Sequence, residues 1–136
     1  MPISPTQKAY LAGFIDADGS IYVRLKPNNT HKYNYQISPF VILFQSGKEK
    51  ESFKEICSLI KYGYLRERND GILEYTINRQ DEITEFLQLI KPYLVLKKKQ
   101  AELMIKILKQ KKEIKTKDDF VKLVELVDRY RELNYS

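Results

Sequence analysis

The first part of the chain changes from a helical to a strand-like pattern of apolar residues. Ser4 and Gln7 are spaced as a capping box, and Pro5 between them suits the first turn of a helix. We expect this helix to run to about Asp16. From Ser20 onward, apolar and polar residues alternate with a period of two, which predicts a β-strand with one apolar face and one polar face.

Helices continue to alternate with pairs of strands along the chain. A second strand is expected over residues 33–45, and Pro39 inside it implies either an edge position or a β-bulge. A capping box at residues 46–49 predicts a second helix. The Asn-Asp-Gly sequence at 69–71 predicts a hairpin that joins strands at 62–68 and 72–78.

The C-terminal half adds three helices. The first of them ends at Pro92, and two more are expected over residues 97–112 and 118–134, with Thr116 as a cap. The order α-ββ-α-ββ-α, followed by additional C-terminal helices, predicts an α+β fold with an antiparallel sheet. The length of 136 residues predicts a single domain, 1–136.

The charge of the chain favours a polyanionic partner. Lys and Arg number 24 against 18 Asp and Glu, a formal net charge of +6, although a basic solvated face is also common without such a partner. We expect no membrane span and no secretion signal, because the apolar runs are short. The one cysteine, Cys57, rules out an intrachain disulfide and fits a reducing compartment, so we expect an intracellular protein.

A stripe of small residues runs along the first predicted helix. Ala9, Ala12 and Gly13 recur at helical spacing with Asp16, and a glycine inside a helix costs about 1 kcal/mol relative to alanine. Because small residues allow close backbone approach, we expect another helix to pack against this stripe. Two carboxylates, Asp16 and Asp18, follow at the helix end, and burying a carboxylate is costly unless something pairs with it.

The polar faces of the predicted strands carry side chains of the types that read DNA bases. In the major groove, which admits a β-sheet, Arg pairs with guanine, Gln and Asn pair with adenine, and Glu accepts from cytosine. A solvated sheet face would also be polar. The expected DNA-contacting residues are Tyr22, Arg24, Lys26, Asn28, Thr30, His31, Gln36, Ser38, Tyr64, Arg66, Arg68, Glu74, Thr76 and Asn78.

Some of these positions leave two interpretations open. Phe40, Ile42 and Phe44 share the parity of the polar face but are apolar. They either meet thymine methyl groups or turn inward at a bulge around Pro39. His31 is the only histidine, and it is either a DNA-contacting loop residue or plain surface.

One segment carries a family resemblance. The sequence LAGFIDADG at residues 11–19 resembles the nine-residue signature of the LAGLIDADG homing endonucleases and differs from it only at Phe14. Other segments resemble the single-motif, homodimeric branch, typified by chloroplast intron-encoded enzymes: KPN, FQ, GYLRER and PYLVLKKKQAEL. The resemblance spans about residues 8–134. It implies the α-ββ-α-ββ-α homing endonuclease fold with a saddle-like sheet.

The resemblance implies a use for the carboxylates at the helix end. In the family, the signature helix packs against its copy in a second subunit. The last acid of the motif, here Asp18, binds a divalent metal, and so does the backbone carbonyl of the preceding residue, here Ala17. Mg²⁺ suits such a site because it prefers oxygen ligands and keeps several waters. Asp16 is then structural, and the implied dimer interface contains Ala9, Ala12 and Gly13.

Two further catalytic residues come from the same resemblance. Gln45 matches the family's active-site glutamine, which positions water, and Lys97 matches its active-site lysine. Lysines in the first turn of a helix oppose the helix dipole, so a nearby phosphate would account for them. Without the resemblance, the same positions fit ordinary roles: Asp-Gly as a turn signal, Gln45 as a polar residue at a strand end, and residues 97–99 as a solvated lysine run.

The sequence departs from the family pattern at one position. The homodimeric branch tends to carry an arginine shortly after the glutamine, whereas Glu49 stands at the matching position here, between Lys48 and Lys50. Glu49 is accounted for by the expected capping box. Either a neighbouring lysine supplies the positive charge, or the activity is weaker.

The implied function is a homodimeric, metal-dependent DNA endonuclease. It would cut both strands of a near-palindromic site, leave short 3′ overhangs, and drive mobility of the intron or intein that encodes it. Its partners would be double-stranded DNA and a second copy, not a membrane or a small-molecule substrate. The alternative is a non-catalytic module of the same fold, an RNA maturase or a DNA binder. A bias towards Lys, Ile, Asn and Tyr fits an AT-rich genome such as that of a chloroplast or mitochondrion.

Overall fold

Five helices and four strands make up the structure, which is a computed structural model describing residues 3–135. The helices are α1 (Pro5–Asp18), α2 (Lys50–Cys57), α3 (Gln80–Ile90), α4 (Lys98–Lys112) and α5 (Lys117–Tyr135). The strands are β1 (Gly19–Pro27), β2 (Tyr35–Ser46), β3 (Tyr64–Glu67) and β4 (Ile72–Ile77). Short 3₁₀ turns at Gly47–Glu49 and Lys91–Tyr93 lead into α2 and out of α3. The predicted α+β class is confirmed.

The four strands form one antiparallel sheet in the order β1-β2-β4-β3. The β1–β2 register is unbroken from Gly19, which pairs with Leu43, to Pro27, which pairs with Tyr35. Pairing of β2 with β4 begins only at Val41. Pro39 therefore lies where β2 has no neighbour on the β4 side, so the missing N–H breaks no ladder there. Of the two interpretations of Pro39, the edge position is right and the bulge is wrong.

The register places all even-numbered strand residues on one face of the sheet and all odd-numbered residues on the other. Many odd-numbered residues, such as Ile21, Val41 and Leu43, are buried in the core. The buried residues of α3, including Phe86 and Ile90, pack into the same core. Each such side chain contributes about 1.5–3 kcal/mol by its burial. The even-numbered residues form the outer face of the sheet, which is the face opposite this core.

Helix ends are capped largely as the sequence predicts. Ser4 Oγ accepts from the N–H of Gln7 at 3.2 Å, and Gln7 Oε1 accepts from the N–H of Ser4 at 3.0 Å, which completes the capping box of α1. At α5, Thr116 Oγ1 accepts from the N–H of Asp119. The Asp119 carboxylate accepts from the N–H groups of Lys115 and Thr116, and these hydrogen bonds lower its pKa.

The capping box predicted at residues 46–49 is wrong. Ser46 Oγ accepts from the N–H of Lys48, one residue earlier than a capping box requires, because the chain forms a 3₁₀ turn before α2 begins at Lys50. The third strand is also shorter than predicted, since it begins at Tyr64 and ends at Glu67.

The C-terminal helix is tied to the sheet by Tyr130. This side chain is fully buried, and its hydroxyl donates a hydrogen bond to the carbonyl of Ile21 in β1. Burial raises the pKa of Tyr130, so its phenol stays protonated. Over residues 3–135, none of the helices has the length and apolar character needed to cross a membrane.

Candidate active site and DNA interface

The end of α1 presents oxygen atoms of two kinds. The last four carbonyls of a helix have no partner within the helix. Here the carbonyl of Ile15 accepts from the N–H of Gly19, and the carbonyl of Asp16 accepts from Lys97 Nζ at 2.9 Å. Ala17 and Asp18 follow, both exposed. The Asp18 carboxylate makes no hydrogen bond or ion pair to any residue that the structure describes.

Gly19 makes the abrupt change from helix to strand possible. A Cβ at this position would lie 2.8 Å from the Cα of Ile15 and 3.0 Å from its carbonyl oxygen. Any side chain would therefore push β1 away from the end of α1. The glycine holds Asp18 at the corner where the helix meets the sheet.

Asp16 is engaged within the chain. Its carboxylate accepts from the N–H of Val95 at 2.8 Å and from the N–H of Lys97 at 2.9 Å. These bonds fasten the segment before α4 to the end of α1. The structural role expected for Asp16 is therefore observed, and the carboxylate is paired with two backbone donors.

Lys97 differs from the two lysines that follow it. Its Nζ donates to the carbonyl of Asp16, one peptide away from Ala17 and two residues from Asp18. Lys98 and Lys99 are exposed, and their side chains make no contact of this kind among the described residues. The contact gives a structural reason to prefer Lys97 of the three.

Gln45 lies beyond the point where β1 begins. Gly19 is opposite Leu43, so β2 continues past the first residue of β1 and carries Gln45 alongside the end of α1. The side chain is half-buried, and its Oε1 accepts from the N–H of Ser46 at 2.8 Å. Its amide nitrogen donates to no described residue and is available as a donor.

The position of the missing family arginine is flanked by two lysines in different situations. Lys50 Nζ lies 3.2 Å from a carboxylate oxygen of Glu67 in an ion pair. The Lys48 side chain is exposed and forms no ion pair with a described residue. If a neighbouring lysine supplies the positive charge, the geometry favours Lys48.

The small-residue stripe of α1 is divided between the core and the surface. Ala9 and Gly13 are exposed, and a Cβ at Gly13 would meet nothing within 4 Å. Ala12 is fully buried in the core of its own chain, so its prediction as an interface residue is wrong. The physical reason is that Ala12 lies three residues before the buried Ile15, on the same side of the helix, so it belongs to the buried face.

Three exposed apolar residues near this face were not predicted from the sequence. Tyr10 on α1 is 55% exposed, and Val95 and Leu96, beside the Asp16 contact, are 80% and 72% exposed. Exposed apolar patches of this kind mark interaction surfaces. The available signal was the apolar run LVL between Pro92 and the lysines, in a segment too short for a helix of its own.

Most of the predicted DNA-contacting residues share the outer face of the sheet. The register brings together Tyr22, Arg24, Lys26, Gln36, Ser38, Tyr64, Arg66 and Glu74. Thr76 also lies on this face but is only 5% exposed, between Ile42 and Tyr64, so its prediction as a DNA contact is wrong. Asn78 is exposed just beyond the end of β4.

The loop between β1 and β2 is ordered by its own polar residues. Asn28 Oδ1 accepts from the N–H and hydroxyl of Thr30, and Asn28 Nδ2 donates to Gln36 Oε1 at 3.2 Å. His31 is exposed at the tip. Below the tip, the Tyr33 ring stacks on Phe120 of α5, with centroids 5.0 Å apart. The C-terminal helices thus support the loop, which the sequence did not reveal.

Arg68 lies just after β3 and is held by two carboxylates. Its guanidinium contacts Asp70 at 2.7 Å and Glu74 at 3.4 Å. Glu74 in turn pairs with Arg66 across the β3–β4 ladder. The Arg68 guanidinium is therefore held in position before any ligand arrives.

Comparison with known proteins decides the family. The family model described as LAGLIDADG endonuclease matches residues 11–108, which is most of the chain. The chain belongs to the LAGLIDADG endonuclease family. The resemblance carried by residues 11–19 is confirmed, and the chain is a DNA endonuclease by family.

Two relatives in this family are similar over most of the chain. DNA endonuclease I-CreI of Chlamydomonas reinhardtii is 34% identical over 128 residues, which cover 93% of this chain and 78% of that protein. DNA endonuclease I-CvuI of Chlorella vulgaris is 33% identical over 102 residues, which cover 75% of this chain and 63% of that protein.

Solved structures of family members have the same fold. I-CvuI in complex with its target in the presence of calcium superposes with a TM-score of 0.87 at 30% identity, covering 94% of this chain and 82% of that chain. The same enzyme was also solved on the I-CreI target in the presence of magnesium, with the DNA not cleaved. The archaeal intron-encoded homing endonuclease I-Vdi141I, complexed with DNA, has a TM-score of 0.83 at 20% identity, covers 94% of this chain and 84% of that chain, and supports the fold alone.

The oxygen donors at the end of α1 fit a metal that is shared with a substrate. Among residues 3–135, no three His, Cys, Asp or Glu side chains are grouped to hold a metal ion. One chain offers the Asp18 carboxylate and the Ala17 carbonyl. Mg²⁺ is commonly held by one or two carboxylates together with substrate phosphates and waters, so this set suits a metal bound with DNA.

Proposed function

We propose that this LAGLIDADG endonuclease acts as a homodimer that cuts both strands of a near-palindromic DNA site by metal-dependent phosphodiester hydrolysis. The observation that carries the proposal is the corner where α1 meets β1. There an uncommitted carboxylate, Asp18, lies two residues from a carbonyl that holds the ammonium of Lys97 at 2.9 Å. The proposed products carry short 3′ overhangs.

Each residue of the site has a distinct proposed role. Asp18 and the Ala17 carbonyl would hold Mg²⁺, which, when bound, activates water and stabilises the negative charge that develops on the phosphate. Lys97 would place a positive charge beside the scissile phosphate. Gln45 would orient the attacking water through its amide. Lys48 would supply the charge that the family arginine provides elsewhere.

The outer face would read one half-site. Arg24 and Lys26 on β1, and Arg66 on β3, present cations and hydrogen-bond donors along a surface that the register makes continuous. The remaining proposed contacts are the polar residues of that face, the loop residues Asn28, Thr30 and His31, and Asn78. The basic balance of the whole chain supports a polyanionic partner.

The requirement for two strand cuts supports a dimer. One chain contains one copy of the motif, and a cut on each strand needs a catalytic acid for each scissile phosphate. The exposed positions of α1, including Ala9, Tyr10 and Gly13, lie on the helix that ends at Asp18. Pairing these helices about a two-fold axis would bring two copies of Asp18 together and predicts a near-palindromic target.

Substitution of Gly13 tests the dimer. Gly13→Leu should separate the two helices and abolish dimerisation and cleavage together while the monomer stays folded, because a Cβ at Gly13 would have no atom of residues 3–135 within 4 Å. Sedimentation and circular dichroism would measure the two effects. Lys106→Leu, which adds a similar side chain at an exposed position of α4, is the control. A Gly13→Leu protein that dimerises and cuts normally would contradict the arrangement.

Cleavage of the uninterrupted target tests the function itself. The joined flanking exons of the encoding element, incubated with the protein and Mg²⁺, should yield a double-strand break, and chelation of the metal should prevent it. Intact DNA together with assisted intron splicing would instead establish a maturase. We further propose Mg²⁺ as the physiological metal, because the donors at the end of α1 are oxygen atoms. We also propose an organellar genome as the setting, since the two relatives come from Chlamydomonas and Chlorella.

A further inference from the structure

The outer face of the sheet is not polar throughout. Along β2, the outward residues change from polar at Gln36 and Ser38 to apolar at Phe40, Ile42 and Phe44. Because the β1–β2 register is unbroken, these three stay on the outer face and do not turn inward. Together with Tyr22 on β1, opposite Phe40, they form a continuous apolar strip.

The strip is an ordered surface. The rings of Tyr22 and Phe40 stack with centroids 5.0 Å apart and planes 19° from parallel. Ile42 is 8% exposed but lies outside the connected core cluster, so it is covered by neighbours on the outer face itself. Phe40 and Phe44 remain half-exposed on either side of it. The rings of Tyr22 and Phe40 are thus held in fixed positions where they can contact a ligand.

The charges around the strip point to DNA as its occupant. Arg24 and Lys26 continue the same face along β1, and Arg66 lies on it in β3. An apolar strip inside a cationic face suits a polyanion that exposes apolar groups between its phosphates. In the major groove of DNA, the only such group on a base edge is the C5-methyl of thymine.

We propose that the half-exposed residues of the apolar strip, Tyr22, Phe40 and Phe44, read thymine methyl groups in the part of each half-site nearest the centre of the target. This inference rests on the proposed function. Phe44 adjoins Gln45 and the corner that carries Asp18, so the strip lies at the catalytic end of the sheet and the polar residues lie farther out. From Phe40 to Phe44 the strand rises about 14 Å, which matches roughly four base pairs of DNA.

Thymine-to-uracil replacement tests the proposal without altering the protein. The target would first be selected from a random-sequence DNA pool. Deoxyuridine, which lacks only the methyl group, would then replace each thymine in turn. We expect each contacted thymine to lose about three- to five-fold in affinity, the effect of one buried methyl group, within a central window of roughly four base pairs per half-site. Replacement farther out, opposite Gln36 and Ser38, should change nothing.

A second measurement uses matched variants. Phe44→Ser removes the ring and leaves no methyl group, so it should abolish the difference between thymine and uracil at one symmetric pair of positions. Lys106→Leu, at an exposed position of α4 outside the sheet, should leave that difference unchanged. Restoration of affinity by 5-methylcytosine paired with guanine at the same position, relative to cytosine, would identify the methyl group itself as the feature that is read.

The methyl-reading role and the proposed endonuclease function can fail separately. A selected target that is bound and cut, but whose affinity is unaffected by uracil at every position, would overturn the methyl-reading role and leave the proposed function standing. Sensitivity to uracil only at outer positions would also overturn it. If no sequence in the pool is bound or cut, the proposed function fails, and this inference fails with it.

Discussion

Replacing Asp16 by alanine should loosen the segment that presents Lys97 to the end of α1. The Asp16 carboxylate accepts from the N–H groups of Val95 and Lys97 at 2.8 and 2.9 Å. The Asp16 carbonyl accepts from Lys97 Nζ. The alanine variant keeps this carbonyl but loses both bonds that fix the backbone before α4. Lys97 would then no longer be held in one position near Asp18.

The expected loss of stability follows from those two bonds. A hydrogen bond to a charged group contributes about 1.5–3 kcal/mol, so a fully shielded pair would contribute roughly 3–6 kcal/mol. Asp16 is only half-buried and its bond to Val95 is exposed, so we expect the lower end, about 3 kcal/mol. For a chain of this size, that loss corresponds to a fall in Tm of roughly 10 °C.

Urea unfolding and cleavage assays would measure the two consequences in parallel. Asp16→Ala should be less stable, should cleave more slowly even where it is fully folded, and should bind DNA with little change. Lys97→Met is the matched comparison, because it keeps both backbone hydrogen bonds. It loses only the bond from its own side chain to the Asp16 carbonyl, so it should be destabilised by about 1.5 kcal/mol, half the loss expected for Asp16→Ala, and should still cleave slowly. An Asp16→Ala protein that loses less than about 1 kcal/mol and cleaves at the wild-type rate would refute the reasoning.

Other residues of the chain give separate tests. Asp18→Asn should slow cleavage at least roughly a hundredfold and spare DNA binding, because it removes charge but little shape; a wild-type rate would exclude Asp18 as a metal ligand. Lys48→Met should lower the cleavage rate more than Lys50→Met, since Lys50 is paired with Glu67; equal effects would leave no special role for Lys48. Hydrogen bonds from backbone N–H groups depress the pKa of Asp119 in the folded state. The stability that the Asp119 carboxylate contributes is therefore fully present above its unfolded pKa of about 3.9 and is lost as pH falls through its lower folded pKa. The free energies of unfolding of the wild type and of Asp119→Asn should therefore approach each other in acid.

Local patterns predicted the secondary structure well because each depends on neighbouring residues. The capping box at Ser4 depends on a few positions at the start of α1, and the end of α3 depends on Pro92. The capping box at residues 46–49 failed because β2 continues to Ser46, and the tight turn that follows leads into a helix that begins only at Lys50. A spacing rule alone cannot tell a 3₁₀ turn from the first turn of an α-helix.

Contacts between distant parts of the chain were beyond the reach of the sequence. The pairing of Asp16 with Val95 and Lys97 joins residues about eighty positions apart, and nothing in either segment signals it. The burial of Ala12 and of Thr76 depends on what packs against them, which periodicity does not contain. By contrast, the bulge that would have turned Phe40 inward was excluded as soon as the strand register was known.

The spacing of the two carboxylates explains why the motif needs both. Residues two apart on an α-helix lie about 200° around its axis, so their side chains leave in nearly opposite directions. Asp16 therefore reaches the backbone before α4, while Asp18 leaves the helix on the other side and stays free of protein partners in the described structure. The first carboxylate brings the lysine-bearing segment to the helix end. The second remains available for a ligand that the chain does not supply. Changing the spacing to one or three residues would turn one carboxylate by about 100° relative to the other and direct it towards a different surface, so the Asp-Ala-Asp arrangement is itself a requirement of the site.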